Sequence, residues 1–375
     1  MAKNVFGLIY AGENNMNLRD LVYMRALGAL PLGGKYRAID FALSNMVNTG
    51  IRNIGVITQK NYHSLMDHLG SGKEWDLSRK NDGLFVLPPF DTYQNTGQYR
   101  GYVDAIKNVM AYVRRAKQQY CLLTGSYTIC NTTYDELIRE HLASGADITL
   151  LYNVMPKLEP EDNMFKDIRL EVDETGRVID MEINSHAPKY LKAGMDIYLM
   201  RKDLLEYLVE EASARGKSSL VRDVLIANLN RLNIRGVEHK GYVGRLHNVA
   251  SYFQMNMDFL KADVQKELFY TENPILTKIK DEVPAKYGSS AKVSNSLVAN
   301  GCIIEGTVEN SILFRGVRVE PGSVIKNSIV MQDSEVYQNS YLENVILDKQ
   351  VHIRTGKRLI GSDGFPVIIR KGAVV

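Results

Sequence analysis

The residues that could do chemistry begin at one loop. An apolar run, Phe6–Tyr10, leads into Ala11-Gly12-Glu13, and a second cluster, Gly33-Gly34-Lys35-Tyr36-Arg37, follows it. A glycine-bearing loop after a strand lets backbone N–H groups approach a phosphate, and nearby lysine and arginine supply counter-charge. A helix is expected to begin near Ile39 and to end at Gly50, a residue type suited to the left-handed position just past a helix. A further strand, Ile54–Thr58, comes directly after. Strand, loop, helix, strand opens a right-handed parallel α/β unit, and such sheets bind ligands beyond the strand C-termini. The loop at Ala11 is therefore where a phosphate ligand is expected.

Other chemistries find little support. Cys121, Cys130 and Cys302 have no metal-ligand spacing and leave an odd thiol in any pairing, the pattern of reduced, buried cysteines in a cytoplasmic protein. A net charge of +3 on 375 residues does not point to nucleic acid or a membrane surface. No charged N-terminal region precedes an apolar signal core, and no apolar run reaches about 18 residues.

The elements that must position the loop follow from periodicity. Strands are expected at Phe6–Tyr10, Ile54–Thr58, Tyr120–Thr124 and Ile148–Val154, and helices at Ser64–Leu69, Val103–Lys117 and Tyr134–Ser144. Their alternation predicts a doubly wound, mostly parallel sheet, with a strand-rich part around Ile168–Ile183 and a hairpin turn at Asp173–Gly176. Residues 1–255 form this α/β domain, and 256–288 a helical connector and loop. From 289 the rhythm changes. Val293, Val298, Ile303, Val308, Leu313, Val319, Val324, Val330, Val336, Leu342, Leu347 and Ile353 recur at five or six residues. That short period predicts a stacked coil over 289–375, a left-handed parallel β-helix of hexapeptide type.

The run GGKYRAIDFALSNMVNTGI from Gly33 resembles the signature of the glucose-1-phosphate adenylyltransferases (ADP-glucose pyrophosphorylases) of glycogen and starch synthesis. That family's preceding loop, AGGxGxRLxPLTxxRAKPAVP, aligns on residues 11 to 31 without a gap. Gln59, Trp75-Asp76-Leu77 and Leu87-Pro88-Pro89 also match the ADP-glucose branch. A nucleotidyltransferase-like domain followed by a β-helix is the architecture of several sugar-nucleotide pyrophosphorylases, so the resemblance covers nearly the whole chain. It is strongest to the D-type glycogen biosynthesis subunit, a non-catalytic partner of the catalytic subunit.

Family members join ATP to a sugar 1-phosphate and release pyrophosphate. The reaction needs a close backbone approach to the triphosphate, cations on the transferring phosphoryl group, and carboxylates that hold Mg²⁺. Position by position, the resemblance implies that these tools are missing. Gly12 remains of the glycine loop, but Glu13 and Asn15 replace its other glycines. Asn17 stands for the catalytic arginine and Leu27 for a lysine. Ser126 and Arg245 fall where the two metal-binding aspartates belong. In the sugar-phosphate pocket Glu182 is kept, Asn184 replaces the lysine, and Tyr102 replaces a small threonine.

The resemblance thus implies a non-catalytic regulatory subunit of a glucose-1-phosphate adenylyltransferase. It would use no cofactor of its own, Mg²⁺ acting only in the catalytic partner, and would join that partner in a hetero-oligomer, expected to be a tetramer, or self-associate. Sugar-phosphate effectors would meet Arg25, Lys35 and Arg37 at the cleft between domains. Against that role stands a structural Arg37–Asp40 ion pair, worth about 0–1 kcal/mol if exposed. Arg370-Lys371 is a weaker basic candidate. Two other functions stay open: an active pyrophosphorylase with a site rebuilt on Glu13, Asp20 or Asp104, and a homo-oligomeric sensor of sugar phosphate or nucleotide. An acyltransferase would rest on His352 alone, the one histidine of the coil.

Overall fold

The computed structural model describes residues 2–13, 15–89, 91–92, 95–96, 98–156 and 166–375. The first domain is built on a nine-stranded sheet. Its strands are β1 (Val5–Tyr10), β2 (Asn53–Ile57), β3 (Gly83–Leu87), β4 (Tyr120–Gly125), β5 (Ile148–Val154), β6 (Ile168–Val172), β7 (Val178–Ile183), β8 (Lys192–Arg201) and β9 (Ile234–Glu238). The order runs β7-β6-β8-β4-β1-β2-β3, with β5 lying between β8 and β9. β4, β1, β2 and β3 are mutually parallel, and β8 is antiparallel to β4 and β5. β1 and β2 are buried throughout and β5 over its first five residues, and apolar side chains predominate in all three, as a sheet covered on both faces requires.

Helices fall close to expectation, with one break. α1 spans Ala38–Thr49 and stops at Gly50, whose φ of 95° only glycine adopts freely. α2 is His63–Leu69. The expected helix Val103–Lys117 is two, α3 (Tyr102–Asn108) and α4 (Met110–Arg115), parted at Val109. The Asn108 side-chain amide donates to the Asp104 carbonyl at 2.9 Å, competing for the acceptor of a regular turn. α5 (Asp135–Ser144) and α6 (Lys202–Ala214) complete the layers over the sheet, and α7 (Val249–Asp258) and α8 (Ala262–Phe269) lead out of the domain. Among the described residues no helix is long and apolar enough to cross a membrane.

The second domain is a parallel β-helix of three five-stranded sheets whose first strand is Lys286–Tyr287. Hydrogen bonds link equivalent residues 17 apart in successive coils and 15 apart at the first, one residue short of three full hexapeptides in the regular coils. Val308, Leu313, Val319, Ile325, Val330, Val336, Leu342, Leu347 and Ile353 fill the interior. Ile325 stands where Val324 was expected: Val324 turns outward, since Ser323 is buried at the corner and its hydroxyl donates to the Tyr337 carbonyl at 2.7 Å. Val293, also expected inside, is 37% exposed on the end coil.

One face of this coil is the floor of the seam between domains. Ile312, Phe314, Ile329, Met331 and Ile346 pack against Phe41, Phe259 and the loop residues Leu18, Leu21, Leu27 and Leu30. Tyr36 stacks on Phe269 with centroids 4.9 Å apart. Within this apolar seam Arg25 donates to both oxygens of Asp348 at 2.6 and 2.8 Å, with side chains only 4% and 3% exposed. Removing one member of such a pair strands a buried charge. Arg25→Met is expected to destabilise the protein by about 3–5 kcal/mol, and adding Asp348→Leu to recover most of that loss. Calorimetric unfolding of the two variants measures it.

Candidate functional site

Beyond the C-terminal ends of β1, β2 and β4 lies a cleft of about 460 Å³, the place expected for a ligand in this kind of sheet. Gly12, Gln59, Tyr99 and Ser219 form part of its wall. A Cβ on Gly12 would lie 2.7 Å from the Tyr10 ring, so the loop turns here only because the residue has no side chain.

The cleft already holds a cation. Lys166 Nζ lies 3.5 Å from Glu13 Oε1 and 3.5 Å from Asp196 Oδ2. Three rings surround the same ammonium, with centroids 4.5 Å (Tyr102), 5.2 Å (Tyr127) and 5.5 Å (Tyr10) away. Tyr102 donates its hydroxyl to Asp196 at 3.1 Å, and Ser126 Oγ donates to Glu13 Oε2 at 3.0 Å. Burial, the largest cause, pushes the Glu13 carboxyl above its ordinary value while Lys166 opposes the shift. Burial likewise raises the Tyr102 and Tyr127 phenols, which stay protonated.

Sequence pattern did not single out Asp196 or Lys166. Asp196 sits in β8 at φ 58°, where the pairing with β5 shifts register between Leu150 and Tyr152. That bulge turns the carboxylate into the cleft. A charged residue inside the apolar run Gly194–Met200 was the signal available, because a carboxylate on a buried strand needs a partner. Lys166 follows from tertiary contacts alone. Its neighbour Asp167 is fixed from two sides: Asn184 exchanges two hydrogen bonds with its backbone, at 2.8 and 2.9 Å, and Arg169 Nε donates to both its carboxylate oxygens.

The positions singled out from sequence have structural occupations. Asn15 donates to the Leu246 and His247 carbonyls at 2.8 and 2.7 Å and accepts from the Asn17 backbone N–H. Leu27 is buried in the seam. Arg245 is half-buried on Asn153 and the Ala193 and Gly194 carbonyls, and does not line the cleft. Glu182 accepts from the Lys189 backbone N–H. Asp20 pairs with Arg370, and Asp104 with Arg100, so neither joins Glu13 as a metal-ligand set. Among the described residues no three His, Cys, Asp or Glu side chains converge on one point. A Mg²⁺-bound triphosphate does not fit these residues: Glu13 and Asp196 are the carboxylates at hand, and an ammonium already stands between them.

A second cluster lines the seam. Arg25, expected among the effector residues, is committed to Asp348. The expected Arg37–Asp40 ion pair is replaced by other contacts. The Arg37 backbone N–H donates to Asp40, its guanidinium donates to Ser64 and Ala29, and Asp40 is fully buried against His68 at 2.5 Å. The helix start claims the Asp40 oxygens as a cap before the guanidinium can reach them. Lys35 is exposed, with Nζ 4.8 Å from the Tyr36 centroid. Lys349, which sequence reading passed over, joins this group. Burial, with Arg37, Arg25 and Lys371 nearby, pushes its ammonium down to about 7. His352 lies on the coil surface, 3.5 Å from Glu335 and 3.4 Å from the Tyr337 hydroxyl.

Comparison with known proteins adds a lineage to this geometry. Residues 6–258 match the model of the nucleotidyl transferase family, and 282–364 that of the GlmU-like C-terminal hexapeptide. The chain is 36% identical to the glycogen biosynthesis protein GlgD of Bacillus subtilis (strain 168), over 99% of this chain and 96% of that protein. It is equally similar to the protein of that name from Geobacillus stearothermophilus, at 36% over 100% and 98%. A glucose-1-phosphate adenylyltransferase of Clostridium botulinum (strain Eklund 17B / Type B) is 33% identical over 87% of this chain and 84% of that protein.

The depressed Lys349 carries a pH signature. The folded protein holds it near 7 against 10.5 for an ordinary lysine. Between those values the unfolded chain binds the extra proton, so stability rises with pH across that window. Lys349→Met is expected to flatten the rise by roughly 1–3 kcal/mol and to be the more stable form below about pH 7. Urea unfolding of both proteins across the window reads it.

Proposed function

Since this chain belongs to the nucleotidyl transferase family, with the glucose-1-phosphate adenylyltransferases and the D-type glycogen biosynthesis proteins, we propose that it is a regulatory, non-catalytic subunit of such an adenylyltransferase. The names of two relatives, both glycogen biosynthesis proteins, support a glycogen-related role. One observation carries the finer reading: in the cleft that should receive metal and triphosphate, Lys166 stands between Glu13 and Asp196. Ser126, at the first metal position, offers only a hydroxyl, and Arg245, at the second, is packed away. Losing one transition-state charge contact commonly costs about 3–4 kcal/mol, and several are missing here. The chain would need no cofactor of its own, with Mg²⁺ acting in the catalytic partner.

Regulation would act through the seam. Lys35, Arg37, Arg315 and Lys349 gather there around the Arg25–Asp348 pair, a setting for a sugar-phosphate anion. An anion at Lys349 would restore its charge and load the loop that Arg25 fixes. The coil offers surface for a catalytic partner, since Ile360, Phe365 and Val374 are 48%, 74% and 55% exposed near one end. Such a partner would be shifted between low- and high-activity states in the sense of ordinary linkage.

A rebuilt active site is the second reading, supported by the two buried carboxylates at the strand ends. The chain alone, given ATP, glucose 1-phosphate and Mg²⁺, is expected to release no pyrophosphate above background, whereas mixing with a catalytic homologue changes turnover or effector response by about fivefold or more. Steady release by the chain alone would establish the rebuilt site instead. Co-elution failing together with an unchanged rate would favour a sensor with another partner. Restoring Asn17→Arg, Leu27→Lys, Ser126→Asp and Arg245→Asp together is expected to give partial activity at best and a lower Tm, because Leu27 is buried and Arg245 half-buried in packed surroundings.

A further inference from the structure

We propose that the cleft is a cage for one primary ammonium ion, and that Lys166 is its tethered occupant, standing where metal and phosphate would otherwise meet. Three tyrosine centroids within 5.5 Å surround the Lys166 ammonium, inside the range of cation–π attraction. Glu13 and Asp196 approach it at 3.5 Å each. Two carboxylates facing one ammonium suit a cation at this point of the cleft, while Lys60, Arg100 and Arg222 stand on its wider wall. Ring faces cannot complete the octahedral oxygen shell that Mg²⁺ demands, but they suit the weakly hydrated flank of an alkylammonium.

The occupant is held in register by its neighbours. The Asn184–Asp167 exchange and the Arg169–Asp167 fork fix the residue after Lys166, and Lys166 itself adopts φ 51°. Glu13 is held by Ser126, and Asp196 by Tyr102. Each of the cage's charged members thus has a fixed support, so the cavity keeps its shape when the stem is shortened. This assignment does not depend on the chain's having a partner or lacking turnover.

The test uses the full chain and no enzyme assay. Lys166→Ala is expected to lower Tm by roughly 5–10 °C near neutral pH. Ethylammonium and n-propylammonium chloride should restore the loss saturably, n-propylammonium best because its three carbons and nitrogen match the Cγ-to-Nζ atoms that alanine lacks, while the wild-type protein responds to them no more than to sodium chloride. Adding Asp196→Asn to Lys166→Ala should abolish the rescue. Three results would overturn the proposal: an unchanged Tm in Lys166→Ala, rescue no greater than that by sodium at equal ionic strength, or equal rescue by Mg²⁺. If Lys166→Ala does not fold, the neutral triple variant Glu13→Gln/Lys166→Met/Asp196→Asn should, with native circular dichroism and no alkylammonium response. Failure of that triple to fold would also count against the cage.

Discussion

The Arg25–Asp348 pair ties the loop after the first strand to the far domain. A glycine-rich phosphate loop needs freedom to close on its ligand, and this one has given that freedom up. Leu18, Leu21, Leu27 and Leu30 are sunk into the seam, and a buried charge pair, one guanidinium nitrogen against both carboxylate oxygens, pins the loop to the coil. The net contribution of such a pair to stability is modest, but its geometric specificity is high, because neither partner can move without exposing the other. The cleft and the seam are therefore two sides of one loop. Charge arriving at the seam meets the residues that shape the cleft wall.

The positions that depart from the adenylyltransferase pattern are not simply emptied. Asn15 braces two carbonyls of the segment before α7, Ser126 holds Glu13, Asn184 fixes the residue beside Lys166, and Arg245 satisfies three oxygen acceptors in the interior. Each of these side chains bonds within the protein.

Periodicity made most of the scaffold legible before any coordinates. Buried strands such as β1 and β5 read as apolar runs, and the coil announced itself by its five- and six-residue intervals. Where two adjacent residues were both apolar, as at Val324-Ile325, the interval alone could not decide which one points inward; a buried serine hydroxyl did. The break at Val109 depended on a side-chain amide competing with the backbone, which hydrophobic spacing does not encode. The candidate site was legible as a set of positions but not as a set of contacts. Arg25 finds its partner 323 residues away, and Asp196 is aimed by a bulge between strands that are distant in sequence. Neither relation leaves a local trace.

The corners of the coil carry a further consequence. Asn295, Asn310, Asn327 and Asn344 all sit at φ between 40° and 52°, a conformation asparagine tolerates better than most residues, and the first three are joined amide to amide at 2.8 and 2.7 Å. Asn344 instead reaches the Gly361 carbonyl, where the column meets glycine and no further amide follows. Stacked strands by themselves have no reason to stop, since every rung offers the next the same backbone template. A side-chain column with a defined last member makes the two ends of the stack chemically distinct.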